Sequence, residues 1–385
     1  MKTELIRRLF KKSSNKSDRV FLITVLILSL FGSIMVFSAG YPYADFRYGD
    51  AFYFIKRQVI WIALGLMTMY IASRISPAML KKYSLLAYLL TLVLLFLTLF
   101  VGFVGNGAQR WISIGPLTIQ PSEIAKLTMV MAISLFFSRH EENVISRGRK
   151  ERFVYGTLIP CAIMVLPIIL VMLQKHLSCI IILGCIGLIV IILSGAELKY
   201  IGGFTLLGAL GVSYLAFFTD YTKDRITVWQ NPEAYKLTGG WQTLQGLMAI
   251  GSGGLFGKGL GMGELKYSYV SEPANDMIFS ILCEELGAFG AFLALGLFAF
   301  LIYRGFKIGL NAPDTYSRLL CFGIISKVAV QTLLNVSVVT NTIPNTGISL
   351  PFFSYGGSSL VMLFFEMGII LSISKKQKIS NRKEL

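Results

Sequence analysis

Residues 85–104 read LLAYLLTLVLLFLTLFVGFV, an uncharged run of 20 residues that decides the fold. About 20 apolar residues in a helix are needed to cross the hydrocarbon core of a bilayer. Similar runs recur along the chain, several of them extendable by a few flanking residues. They predict an all-α polytopic membrane protein with about ten transmembrane helices, at 20–37, 59–72, 85–104, 124–137, 153–173, 177–193, 200–218, 277–303, 319–339 and 359–373.

The composition argues against a soluble domain. Of the 385 residues, 55% are hydrophobic and 15% are charged, whereas soluble domains carry about a quarter charged residues. The net charge of +16 would suit nucleic acid, but the basic residues lie in short loops beside apolar runs. That placement predicts orientation in a membrane and no nucleic-acid partner. The five cysteines lie inside apolar runs without CxxC spacing, which argues against a metal or disulfide framework.

The positive charges predict that both chain ends are cytoplasmic. An even number of spans places the two termini on the same side, and short cytoplasmic loops are enriched in Lys and Arg. The segments 1–19 and 375–385 are strongly basic. We therefore expect a single membrane domain, 1–385, whose long loop, 220–275, lies outside the cell.

The fourth predicted span begins with an acid and a base. The chain reads Gln120-Pro121-Ser122-Glu123-Ile124-Ala125-Lys126-Leu127, and Pro121 suits the first turn of a helix. Glu123 and Lys126, three residues apart, share one helical face. Ionisable groups inside a span usually face a cavity or a partner, so this pair is a candidate functional site. The alternative is a structural ion pair.

A second acidic residue stands where the long loop enters the eighth span. The chain reads Glu272-Pro273-Ala274-Asn275-Asp276-Met277, with Asp276 at the outer membrane face. The alternative role for Asp276 is helix capping, because Asp at a helix start accepts backbone hydrogen bonds. Glu284 and Glu285 lie deeper, and we expect them to be buried hydrogen-bonding or helix-contact residues.

The segment 347–359, which precedes the tenth span, is rich in glycine and hydroxyl groups. Its glycines permit close backbone approach, and its polar groups are suited to sugars or phosphate. A re-entrant turn packed against neighbouring helices is the alternative. The candidate substrate-binding residues here are Ser354, Tyr355, Gly356, Gly357 and Ser358.

The remaining candidates lie in outer loops. Trp241, Leu244 and Leu247 recur at helical spacing and predict a short amphipathic helix that lies on the membrane. A glycine-dense segment, 251–259, follows, but it lacks the pattern of a P-loop. Outer arginines suit pyrophosphate, although they more often contact lipid headgroups. The candidate substrate contacts are Arg110, Arg225, Trp241, Gln242, Gln245 and Lys258.

These motifs together resemble the SEDS family (shape, elongation, division and sporulation), which includes FtsW, RodA and SpoVE. The resemblance runs from about Asp18 to Lys375. Asn275 before Asp276, and the segment 49–58, are more similar to the FtsW and SpoVE branch than to RodA. The matching segments, in the order of the family, are 120–127, 240–245 with 249–259, 275–280 with 284–287, and 350–359.

The resemblance implies a ten-span peptidoglycan glycosyltransferase that polymerises lipid II during cell division or sporulation. It implies a class B penicillin-binding transpeptidase and other division or sporulation membrane proteins as partners, and a divalent cation, Mg²⁺ or Mn²⁺, as cofactor. The essential loop aspartate of the family corresponds to Asp276, and its membrane Glu and Lys correspond to Glu123 and Lys126. The metal candidates are Asp276 and Glu123.

The sequence departs from the family pattern at four positions. Relatives usually have proline at position 175, glycine at 337 and 341, and an apolar residue at 345. This chain has Lys175, Ser337, Asn341 and Asn345 instead.

Two other functions remain compatible with the residues. A lipid II flippase would line its substrate path with Glu123 and Lys126, and a non-catalytic scaffold of the division machinery would need no reaction centre.

Overall fold

The computed structural model describes residues 17–376 except 106, 107, 115, 116, 146, 147, 219 and 268. Most of the two basic termini therefore lies outside the described residues. The helices are α1 (Arg19–Tyr48), α2 (Tyr53–Ala72), α3 (Pro77–Val101), α4 (Pro121–Arg139), α5 (Glu141–Ile145), α6 (Arg149–Phe153), α7 (Ile159–Leu173), α8 (Leu177–Leu193), α9 (Leu198–Phe218), α10 (Asp220–Gln230), α11 (Trp241–Ser252), α12 (Ile278–Leu310), α13 (Thr315–Val339) and α14 (Gly357–Ser374).

The ten predicted spans are confirmed as helices. Eight helical stretches within the described residues are long and apolar enough to cross a membrane, one of them being α6 and α7 joined by a π-helical segment. The other two predicted spans correspond to α8, with 17 residues, and α9, with 21. Because successive spans alternate in direction, α4, α8, α12 and α14 all begin on the same side of the membrane. The positive-inside rule makes that the outer side.

Two central helices carry the core. In α4, 15 of 19 residues are buried, and in α13, 18 of 25 are buried. By contrast, α2 has four buried residues out of 20, so most of its surface is left to lipid. Since central helices are screened from lipid by their neighbours, polar side chains on α4 and α13 face protein rather than hydrocarbon.

Two outer segments contain structure of their own. Between α3 and α4 the chain forms a three-stranded antiparallel sheet of β1 (Phe103–Gly105), β2 (Ala108–Ile114) and β3 (Leu117–Ile119). The all-α prediction did not include this sheet. The predicted amphipathic helix of the long loop is α11, which packs against α12 and buries Gln245.

An ion pair joins the first and eighth spans on the cytoplasmic side. Asp18 caps α1 by accepting a hydrogen bond from the Phe21 amide at 3.0 Å, and its carboxylate lies 2.7 Å from the Arg304 guanidinium near the end of α12. The eighth span is therefore held against the first at the end opposite the outer loops.

The segment before α14 packs directly on α1, where Gly32 leaves room for it. A Cβ atom added at Gly32 would lie 2.2 Å from the carbonyl oxygen of Phe352, which is a backbone atom and cannot rotate away. Gly184 in α8 is the matched contrast, because a Cβ added there meets nothing within 4 Å.

We expect Gly32→Ala to destabilise the protein by about 1–3 kcal/mol, the usual cost of overpacking. Gly184→Ala should be neutral or stabilising, because alanine has the higher helix propensity. Melting temperatures of the two variants in the same detergent test this, and equal values would contradict the packing.

Candidate active site

A polar cavity of about 610 Å³ lies where α4, α8, α12 and α14 begin. Its walls also include the sheet and the segment before α14. The helices present their amino-terminal ends, which carry partial positive charge. The predicted site residues that line it are Arg110, Glu123, Lys126, Asp276, Tyr355, Gly356, Gly357 and Ser358.

Glu123 and Lys126 form the predicted ion pair, and it is part of a longer row of charges. Lys126 Nζ lies 2.6 Å from Glu123 Oε1, and the other oxygen of Glu123 lies 3.6 Å from Lys327 Nζ on α13. Lys327 in turn donates to both oxygens of Glu366 on α14, at 2.8 and 2.9 Å. The four groups alternate in sign and are all buried. The row therefore carries no net charge.

Lys327 and Glu366 were not among the predicted site residues. Each lies within an otherwise apolar predicted span, and a charge in that position is itself a signal. Their partner relationship was not visible, because 39 residues separate them in the chain.

Asp276 presents a carboxylate to the cavity that is not used for capping. The residue before α12 is Met277, no side chain caps this helix, and the Asp276 carboxylate has no hydrogen bond within the described part of the chain. Burial, together with the nearby Glu272, raises the pKa of Asp276 to about 6, while Arg225 and Arg110 oppose that shift. Asp276 is thus an acid that titrates close to neutral pH.

The backbone around Asp276 is held by hydrogen bonds from α13 and the segment before α14. The Asn335 amide donates to the carbonyl oxygens of both Asp276 and Ile348, at 2.9 and 2.6 Å. Ser354 Oγ donates to the Asn275 carbonyl at 2.8 Å, and the Tyr355 amide donates to the Ala274 carbonyl at 2.8 Å. Ser354 is thus a residue that positions the site, and it does not line the main cavity.

Gly347 lies beside the carboxylate of Asp276. Its φ of 69° lies in the left-handed region, and a Cβ added there would lie 3.1 Å from Asp276 Oδ2.

The remaining candidates, Arg225, Trp241, Gln242 and Gln245, are not among the residues that line the cavity. Arg225 Nη1 donates to the Asn345 carbonyl, and the Asn345 amide donates to Gln242 Oε1 at 3.0 Å. Trp241 donates to the Tyr269 carbonyl at 2.7 Å. Trp241, Gln242 and Gln245 do not line the cavity, so their roles stay predictions about a more extended substrate surface.

Lys258 does not line the cavity either. Its ammonium lies 3.0 Å from Glu284, and its role as a substrate contact stays a prediction. The predicted burial of Glu284 and Glu285 is confirmed, and Glu285 pairs with buried Lys266 at 2.6 Å. The glycine-dense segment is likewise structural, because the Lys258 and Gly259 amides donate to the Glu284 and Glu285 carbonyls.

The carboxylates of the cavity differ in how well they suit a divalent cation. Glu123 does not fit, since its two oxygens face two lysines. Within the described residues, no three Asp, Glu, His or Cys side chains form a group that could hold a metal. Glu272 lines the cavity near Asp276, and Mg²⁺ is commonly bound by one or two carboxylates while keeping water and substrate phosphates as its other ligands. A cation at Asp276, the other predicted metal candidate, stays a prediction.

The fold and the cavity define a polytopic membrane protein with a charged chamber at the outer ends of its central helices. The family description "Cell cycle protein", which covers FtsW, RodA and SpoVE, matches residues 18–379. The chain therefore belongs to the FtsW, RodA and SpoVE family, the SEDS family.

Its relatives match along nearly their whole length. Stage V sporulation protein E of Bacillus subtilis is 38% identical over 367 residues, which cover 95% of this chain and 98% of that protein. A probable peptidoglycan glycosyltransferase FtsW of Geobacter metallireducens is 33% identical over 371 residues, which cover 95% and 97%.

Solved structures have the same fold. The crystal structure of the rod shape determining protein RodA of Thermus thermophilus matches with a TM-score of 0.69 and 25% identity, over 94% of this chain and 97% of that one. A chain from the structure of a peptidoglycan synthase complex matches with a TM-score of 0.77 and 24% identity, over 93% and 97%.

Two of the departures from the family pattern, Lys175 and Asn341, have positive φ angles. Lys175 has a φ of 54°, which proline cannot adopt. The turn before α8 therefore differs from one built on proline. Asn341 has a φ of 56°, in the region that glycine favours and asparagine tolerates.

We expect Lys327→Met to lower the free energy of unfolding by about 3–5 kcal/mol, because it leaves Glu366 buried without its partner. The double variant Lys327→Met with Glu366→Met removes both charges and should recover most of that loss. Melting temperatures of the wild type and both variants check this. A double variant no more stable than the single one would show that the pair is not a neutralising unit.

Proposed function

We propose that this protein is a peptidoglycan glycosyltransferase that polymerises lipid II at the outer face of the cytoplasmic membrane, for cell division or sporulation. One observation carries the proposal: Asp276, the Glu123–Lys126 pair and Arg110 line one cavity at the outer ends of the central helices. The names of relatives support it, since several are probable peptidoglycan glycosyltransferases.

In this proposal Asp276 is the general base. It takes the proton from the 4-hydroxyl of the GlcNAc sugar in the acceptor lipid II, and that oxygen attacks the anomeric carbon of the donor chain. The bond from this carbon to undecaprenyl pyrophosphate breaks. A base with a pKa near the working pH is effective, because its carboxylate is ionised and still basic. The Asp276 pKa of about 6 meets that condition.

The cationic groups of the cavity stabilise the leaving group. Negative charge develops on the pyrophosphate, and Arg110 and Lys126 are fixed donors that line the same space. Glu123 orients Lys126 through the 2.6 Å ion pair, and Lys327 holds Glu123 from the opposite side. A divalent cation at Glu272, when bound, would add charge stabilisation to the same phosphates.

We also propose a class B penicillin-binding transpeptidase, and other division or sporulation membrane proteins, as partners. The support is the similarity of the fold to a chain from a peptidoglycan synthase complex.

We expect Asp276→Asn to lower polymerisation by about 100- to 10,000-fold, the usual contribution of a positioned general base. Asp50→Asn is the matched control. Asp50 is an outer acid that does not line the cavity, and its carboxylate pairs with the Lys56 ammonium at 2.8 Å. Purified protein is incubated with lipid II, Mg²⁺ or Mn²⁺ and its transpeptidase partner, and glycan polymer is measured.

The same reconstitution separates the rival functions. Movement of lipid II across vesicles without polymer would favour a flippase, and neither activity would favour a scaffold. Full polymerase activity of Asp276→Asn would remove the base assignment.

The pH dependence of kcat/KM gives a second test. Because the base acts as a carboxylate, the rate should be constant above the pKa and fall about tenfold for each pH unit below about 6. If kcat/KM began to fall only near pH 4, the ordinary pKa of aspartate, the result would contradict the burial of the reacting carboxylate.

A further inference from the structure

His176 is a cavity residue that the mechanism above does not use. It lies in the turn between α7 and α8, and its side chain lines the same cavity as Arg110 and Lys126. The neighbouring Lys175 carbonyl accepts a hydrogen bond from Arg110 Nη2 at 2.8 Å. The turn therefore fixes the arginine and the histidine on one wall.

Two donor-capable nitrogens on this wall are buried without a partner. Within the described residues, neither His176 Nδ1 nor Arg110 Nε has a hydrogen bond. Buried polar atoms are nearly always paired, so an unpaired atom points to a ligand or water. Asn275 Oδ1 and Ser358 Oγ are unpaired in the same way and belong to residues of the same cavity. Four unsatisfied polar atoms thus belong to residues that line this one cavity.

The charges facing His176 favour its neutral form. Arg110 faces it from β2, and Lys126 and Glu123 face it from α4. Burial and the two cations outweigh Glu123 and lower the pKa of His176 to about 3. A phosphate group placed among these cations would reverse the local field, because an anion stabilises an imidazolium.

We propose that His176 joins Arg110 and Lys126 in a binding subsite for a pyrophosphate group, contacts a phosphate oxygen there, and takes up a proton from solvent when the anion binds. This inference rests on the proposed function and deepens it, because the pyrophosphate is the group that links lipid II to its polyprenyl chain. The subsite binds the anion whether or not Asp276 acts as a base.

The composition of the chain permits a direct test. It has two histidines, and His140 lies at the other end of α4, stacked on Phe136 with ring centroids 4.6 Å apart. Histidine-selective ¹³C and ¹⁵N labelling therefore gives one reporter and one internal reference, assigned with His140→Gln. The labelled protein is titrated from pH 5 to pH 8 with and without saturating inorganic pyrophosphate, and then with undecaprenyl pyrophosphate.

We expect the His176 imidazole to stay neutral over this range in the free protein. Saturating ligand should shift it toward the imidazolium spectrum and leave His140 unchanged. A response to both ligands assigns the subsite to the phosphate groups alone, and a response only to the lipid form assigns it to lipid-linked pyrophosphate. An unmoved His176 resonance at saturation with both ligands would overturn the proposal.

Variants give an independent measurement. His176→Phe should weaken pyrophosphate binding by about 10- to 100-fold, the range of a charge-assisted hydrogen bond, while melting near the wild-type temperature. His176→Gln retains a donor but cannot take up a proton, so its loss should be smaller. Unchanged affinity in His176→Phe would refute the contact. Because the assay needs no turnover, failure of Asp276 as the base would leave its result intact.

Discussion

The structure depends on the neutralisation of four charges buried in the middle of a membrane protein. Taking an isolated ion out of water costs several kcal/mol even after the protein relaxes. Lys126, Glu123, Lys327 and Glu366 meet this constraint by alternating in sign across three helices. Three of these four charges lie on central helices. Of the eight long apolar stretches described, α4 and α13 are the most buried, so their neighbours screen these charges from lipid.

Asp276, unlike these four residues, has no ion-pair partner within the described part of the chain. Its carboxylate is half-buried without a hydrogen bond from any described residue, and it depends on more distant arginines for stabilisation. Its backbone, by contrast, is held tightly through Asn335, Ser354 and Tyr355. A general base requires this combination. Its carboxylate oxygen must be available to accept a proton, and its backbone must hold that oxygen in position.

The paired charges and the polar groups without partners have different roles at the cavity. The paired charges present Lys126 at a fixed position. Asp276, His176 and Arg110, by contrast, each keep at least one polar atom without a hydrogen bond from the described part of the chain. Lys258 differs from Lys126 because its side chain does not line the cavity. Its charge is already used by Glu284, which anchors the glycine-dense segment to α12.

The sequence by itself determined the ten spans, because hydrophobic length is a local property that each segment must satisfy alone. It also placed Asp276, Glu123 and Lys126 at the outer starts of their helices, since alternating spans and basic loops fix direction. Only the tertiary structure decided that Lys327 and Glu366 complete the charged row, that His176 faces the cavity and that Lys258 does not. Those relationships join segments far apart in the chain, and an ion pair leaves no periodic pattern from which its partner could be read.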